Sequence, residues 1–190
     1  MSAHLLPTPS QTVGPFFEFG LLRPAQPDLV PMGTPDSIRI EGSVFDGEGV
    51  PVPDAMLEIW QAAPSGRYAH PEDGRSDLAI DDGFTGFGRK GTDAGGTYWF
   101  RTVKPGIVPW VDGRPQAPHL NVSIFARGLV HRLVTRMYFP DEAEANAVDP
   151  VLLSVEDPAA RTTLIAVSGD GVLHFDLHLQ GEGETCFFQI

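Results

Sequence analysis

Apolar and polar residues alternate along Gln116–Phe125. Leu120, Val122 and Ile124 share one parity, and His119, Asn121 and Ser123 share the other. Successive side chains of a strand point to opposite faces, so the pattern predicts a half-buried strand entered through Pro118. Similar runs predict strands at Ile38–Phe45, Ala55–Trp60, Thr97–Val103 and Arg132–Phe139. Further strands are expected at Leu164–Val167, Val172–Leu179 and Thr185–Ile190. Turn signals such as Asp46-Gly47 and Lys104-Pro105-Gly106 separate them. Acidic residues opening Asp141–Ala147 oppose the helix dipole and predict a short helix there, with a second over Val151–Thr162. Roughly eight short strands without helix–strand alternation predict an all-β fold, an antiparallel β-sandwich with long loops and one or two short helices.

Composition changes this picture little but excludes a good deal. The 190 residues suit one domain, and 21 glycines with 18 prolines favour turns over long helices. Residues 1–36 read as an arm and linker. Pro24 to Pro35 is proline-rich, while Gly14-Pro15-Phe16-Phe17 carries aromatics that a disordered tail lacks, so the arm is expected to dock on its own domain or a neighbour. Between Gln61 and Gly96 lies a long Gly- and Asp-rich insertion, and connections of that length are usually functional. A formal charge of −12 argues against nucleic acid and anionic membrane as partners. The single cysteine, Cys186, and the absence of a basic, then apolar leader suggest a cytoplasmic protein. No apolar run is long enough to span a bilayer.

Few residues invite chemistry on their own. His174, Asp176 and His178 fall on one strand face in a metal-like spacing, yet the outer face of a sandwich strand is normally polar. With no nearby loop donor, a solvated face is the better reading. Tyr68, Tyr98 and Tyr138 are the three tyrosines. Tyr68, isolated in a polar loop after Gly66, is the one that packing explains least. His119 at a strand start is more often a hydrogen-bonded structural residue than a ligand. Arg136 shares a face with Val134 and Tyr138, and would be solvated or paired with a carboxylate-bearing ligand. No phosphate loop, nucleophile elbow or dinucleotide fingerprint is present.

In chain order, the segments Thr8–Pro15, Leu57–Ala62, Gly66-Arg-Tyr68, Phe87-Gly-Arg89 and Thr102–Gly106 resemble the intradiol ring-cleaving dioxygenases. Ala117-Pro-His119, Phe125–Gly128, Thr135–Phe139, Asp141–Ala147 and Gln180–Phe188 continue the resemblance over nearly the whole chain. It implies a sandwich fold and O2-dependent cleavage of a dihydroxylated ring, 3,4-dihydroxybenzoate, at a non-haem Fe(III). Catalytic chains of that family hold the metal with two tyrosines and two histidines. The resemblance places these at Tyr68, Val108, His119 and Asn121, and a catalytic arginine at Gln116. Two ligand positions have therefore lost their donors, because valine offers none and an amide oxygen is weak and neutral.

The resemblance thus implies no catalytic residue and no metal site in this chain alone. It implies instead a subunit whose partner, a beta chain, carries the ferric ion, the two forming an assembly of alpha–beta pairs. Thr12, Gly14 and Pro15 of the arm, together with Arg136, would line the partner's substrate pocket, with Arg132 as the alternative arginine. Two other readings stand beside it. One is a self-sufficient dioxygenase rebuilt with His70 or His131, and the other is a non-enzymatic binding module on the same sandwich.

Overall fold

The structure is a computed structural model that describes residues 20–189. The expected arm residues Thr12, Gly14 and Pro15 lie outside the described residues. Two sheets face each other. One is antiparallel and ordered β3-β2-β7-β8, from β2 (Met56–Trp60), β3 (Phe87–Gly91), β7 (His119–Phe125) and β8 (Leu133–Tyr138). The other is centred on β1 (Ser37–Phe45), which pairs antiparallel with β4 (Thr97–Val103). On its other side β1 pairs parallel with β10 (Val172–His174) and β11 (Leu177–His178). β9 (Val167–Gly169) closes that edge against β10. This sheet is therefore mixed, whereas alternation had suggested antiparallel pairing throughout. A two-residue hairpin, β5 (Val108–Pro109) with β6 (Pro115–Gln116), sits at one end of the sandwich.

Alternation builds the core directly. Ile40, Val44, Tyr98 and Phe100 from one sheet meet Leu57, Ile59, Leu120, Val122 and Ile124 from the other, all buried. A smaller cluster of Ala117, Tyr138, Leu152 and Leu164 packs at the end that carries β6 and the start of β7. The helices shrink to short pieces. They are α1 (Ala143–Asn146), a 3-10 turn (Leu152–Ser154) and α2 (Pro158–Thr162), whose N-cap Asp157 accepts from the Ala159 amide.

Several segments come out differently from expectation. β3 lies inside the supposed insertion, and its Gly88 is where a Cβ would lie 2.5 Å from Leu29 Cδ1 and 3.1 Å from Phe100 Cδ1. Val172–Leu179 breaks at Phe175-Asp176, where the Asp176 carboxylate accepts the Ser43 amide and Tyr98 donates its hydroxyl to the Phe175 carbonyl. Thr185–Gln189 is irregular, though the Thr185 and Phe188 amides reach the His178 and Val134 carbonyls.

Gly42 is the tightest point of the mixed sheet. A Cβ there would lie 2.0 Å from the Phe175 carbonyl oxygen and 2.9 Å from the Tyr98 hydroxyl. Gly42→Ala must separate β1 from the 175–176 break and disturb the buried Tyr98 hydrogen bond. We expect a loss of about 3 kcal/mol, read as a lowered urea midpoint at unchanged slope.

Candidate functional site

The four positions that the resemblance assigns to metal ligands converge at the end of the antiparallel sheet. One cross-strand row places Trp60, Asn121 and Arg136 on β2, β7 and β8, and the next pairs His119 with Tyr138. Tyr68 comes from the loop after β2 and stacks on Trp60, with ring centroids 5.9 Å apart and planes 7° from parallel. Gly66 allows that loop its course. It takes φ +82°, and a Cβ on it would lie 2.1 Å from the Ile107 carbonyl oxygen. The Tyr68 amide donates to Asp73, which also pairs with Arg75 at 2.5 Å. That arginine holds the Asp73 carboxyl well below the usual carboxylate range. Val108 and Gln116 face each other across the β5–β6 hairpin, both buried. A cavity of about 630 Å3 opens between Trp60, Tyr68, Arg75, Val108 and Pro109.

Each remnant side chain has a local account. His119 is buried and its Nδ1 lies 2.7 Å from the Ala117 carbonyl, so Nδ1 carries the proton and Nε2 faces inward as an acceptor. That Nε2 is buried and has no hydrogen-bond partner among the described residues. Burial, helped by the Arg136 charge, lowers the imidazole from 6.5 to about 4, so the ring is neutral near pH 7. Tyr68 is pushed up by burial, while an Asn121 hydrogen bond and the Arg136 charge pull the other way. The Asn121 amide also reaches the Trp60 carbonyl at 3.4 Å. Gln116 donates to the Pro109 carbonyl and accepts from Arg136 Nη1 at 2.8 Å. Arg136 also donates to the Tyr138 hydroxyl at 3.3 Å, and that hydroxyl donates to Asp149 at 3.0 Å.

This donor set does not fit a ferric ion. Tyr68 and His119 Nε2 are the anionic-capable and imidazole donors that remain. Val108 has no donor atom, and the Asn121 and Gln116 amides are engaged within the protein. Arg136 brings a fixed positive charge into the same cluster, which opposes a trivalent cation. A hydrogen-bond network of Gln116, Arg136, Tyr138 and Asp149 lies beside these positions.

The other candidates separate cleanly. His174 and Asp176 are exposed, and His178 stacks on Phe45 at 5.0 Å, so the His-x-Asp-x-His face is solvated as expected. His70 lies edge-on to Trp60 at the cavity mouth, while His131 and Arg132 are exposed. Sequence reasoning missed Asp149. Wholly buried, it accepts from the Ala117, Val151 and Leu152 amides as well as from Tyr138. Its place in an Asp-Pro step was the available signal.

A sandwich with Tyr68 and His119 gathered at one sheet end defines a class, and comparison with known proteins gives its family. The Dioxygenase family model matches residues 18–181, and the chain belongs to the intradiol dioxygenase family. It is 43% identical over 205 residues to the protocatechuate 3,4-dioxygenase alpha chain of Pseudomonas putida, covering 99% of both chains. It is 42% identical to the Burkholderia cepacia alpha chain, over 96% of this chain and 97% of that one. The Burkholderia cepacia beta chain of the same enzyme is 38% identical, over 83% of this chain and 65% of that one. Among solved structures, the dioxygenase domain of a Streptomyces carbohydrate-binding fusion superimposes with a TM-score of 0.56 at 28% identity, covering 92% and 99%. The family's chemistry uses ferric iron.

His119 yields a pH prediction. Its folded-state value, about 4, lies below the ordinary 6.5, so the unfolded chain takes up the proton first as pH falls. Stability should fall from pH 6.5 to pH 4 by about 3 kcal/mol through this group and then level off. His119→Gln should flatten that part of the profile, measured by urea unfolding at each pH.

Proposed function

We propose that this chain is the alpha-type subunit of a protocatechuate 3,4-dioxygenase whose complete ferric site belongs to a beta chain. The observation that carries this reading is the donor set. Two of four ligand positions lack a usable donor, while the rest of the site's frame is kept. The near full-length similarity to alpha chains supports it, as does the similarity to a beta chain of the same enzyme. The reaction is intradiol cleavage of 3,4-dihydroxybenzoate by O2 to 3-carboxy-cis,cis-muconate. In this reading the iron supplies substrate and oxygen activation on the partner. This chain contributes wall, charge and assembly surface. The arm residues Thr12, Gly14 and Pro15 wall the partner's pocket, since a Gly-Pro turn brings rigid backbone close to a ligand.

Arg136 is the cation proposed to answer the substrate carboxylate. Its Nη1 is occupied by Gln116 and Tyr138, whereas Nε and Nη2 have no protein hydrogen-bond partner among the described residues. Arg132, exposed on the same strand approach, is the alternative.

Purifying the chain alone and coexpressed with a beta chain tests the assignment. The coexpressed complex should contain iron, show the reddish tyrosinate–ferric colour and consume oxygen with protocatechuate. The lone chain should be colourless and inactive. A coloured, active lone chain would instead mean a rebuilt site, and failure to bind any beta chain would favour a binding module.

In the coexpressed complex, Arg136→Ala should raise KM for protocatechuate by roughly tenfold through loss of a charge-assisted hydrogen bond. An unchanged KM would confine Arg136 to the interior network of its own chain.

A further inference from the structure

Arg136 and His119 each leave hydrogen-bonding capacity unused on the same face of the antiparallel sheet. Arg136 commits Nη1 to the Gln116 amide oxygen at 2.8 Å and to the Tyr138 hydroxyl at 3.3 Å. Its Nε and Nη2 hydrogens have no protein acceptor, and it forms no ion pair, among the described residues. The carboxylate of the network, Asp149, lies beyond the Tyr138 hydroxyl and already accepts four hydrogen bonds. His119 is 3% exposed, with its Nδ1–H on the Ala117 carbonyl. That leaves Nε2 a bare acceptor, buried and without a partner among the described residues. His119 pairs with Tyr138 and Asn121 with Arg136, so His119 and Arg136 are diagonal neighbours on adjacent strands. Such neighbours are about 7–8 Å apart at the backbone, within reach of an arginine side chain.

Folding does not explain the combination. A neutral donor would satisfy Gln116 and Tyr138 equally well, without half-burying a charge that no acid offsets. A buried acceptor left without a donor is likewise costly. One occupant answers both. The Nε and Nη2 hydrogens form a planar fork that matches two oxygens of an oxyanion. Nε2, in contrast, requires a hydroxyl that donates. The Tyr68 hydroxyl meets the Asn121 amide beside Arg136, and Tyr68 also lines the cavity of about 630 Å3, which brings solvent to this side of the cluster. A formal charge of −12 disfavours anions elsewhere on the chain, so uptake here reports a built site.

We propose that Arg136 and His119 bind a small oxyanion that keeps a hydroxyl at neutral pH, of the bicarbonate or hydrogen phosphate type. Two of its oxygens accept from Arg136 Nε and Nη2, and its hydroxyl donates to His119 Nε2. The Arg136 edge is the one that the proposed function turns toward a substrate carboxylate, so the two anions compete for it. The site itself needs only this chain. Its test uses no substrate, so its outcome is separate from that of the KM measurement on Arg136→Ala.

Isothermal titration of the full chain, alone or coexpressed with a beta chain, tests it in sodium chloride at constant ionic strength. Bicarbonate and nitrate are planar monoanions of like shape, and only bicarbonate has a hydroxyl to donate. Bicarbonate should bind saturably and nitrate roughly tenfold more weakly, because nitrate sets a lone pair against Nε2. Phosphate against sulfate repeats the comparison for a tetrahedral anion and tells the two sources apart. Arg136→Gln should weaken the hydroxylated anion by roughly tenfold or more. His119→Phe should abolish the preference over nitrate. The bicarbonate–nitrate comparison in the wild type needs no substitution, so it decides the matter even where a variant misfolds. Equal binding of hydroxylated and bare anions, no saturable binding of either hydroxylated anion, or a folded Arg136→Gln that binds as the wild type does would each overturn the proposal.

Discussion

A buried carboxylate, Asp149, holds the end of the sandwich on which the remnant site is built. A charge without exposure to water is tolerated only where donors replace its hydration. Asp149 has four: the Ala117, Val151 and Leu152 amides and the Tyr138 hydroxyl. Hydrogen bonds to a charged group contribute about 1.5–3 kcal/mol each, and an orphaned buried carboxylate costs several. This single side chain therefore ties the entry of β7, the exit of β8 and the turn after α1 into one unit. His119 follows Ala117 by two residues, so its ring inherits that fixed position.

From Asp149 the network runs through Tyr138 to Arg136 and on to Gln116. A site that binds a metal has anionic and neutral donors arranged about a cation. Here the fixed cation is a guanidinium on a strand, and the groups around it are phenols, amides and one carboxylate. Such an arrangement links Asp149, Tyr138, Arg136 and Gln116 by hydrogen bonds and leaves the buried His119 Nε2 without a partner among the described residues. It also explains why the imidazole stays neutral, since burial and a nearby positive charge act in the same direction.

Much of this was legible in the sequence, for a physical reason. A period of two reports both faces of a strand, so Leu120, Val122 and Ile124 announced the core while His119 and Asn121 announced the site. The missing donors at Val108 and Asn121 were equally plain, because donor chemistry is a property of residue type. β3 was not legible, since Gly88 and Gly91 occupy its buried positions where Leu29, Phe100 and Leu22 crowd in. Nor was the parallel pairing of β1 with β10 and β11, which depends on the break at Phe175-Asp176 rather than on alternation. The role of Asp149 arises from residues far apart in the chain, and no local pattern encodes it.

The place of these four positions in the fold lets the frame persist whatever residues occupy them. Core residues of β7 point between the sheets, and changing them would open cavities costing about 2–5 kcal/mol each. His119 and Asn121 point the other way, and Val108 and Tyr68 come from a hairpin and a loop. A donor at any of these positions can be exchanged without disturbing Leu120, Val122 or Ile124. The fold therefore constrains the ligand set weakly, while the ligand set depends wholly on the fold. Under the proposed function a partner supplies the iron, which relaxes selection on the donors but not on the sandwich and its surfaces. Val108 and Asn121 record that asymmetry at the level of single side chains.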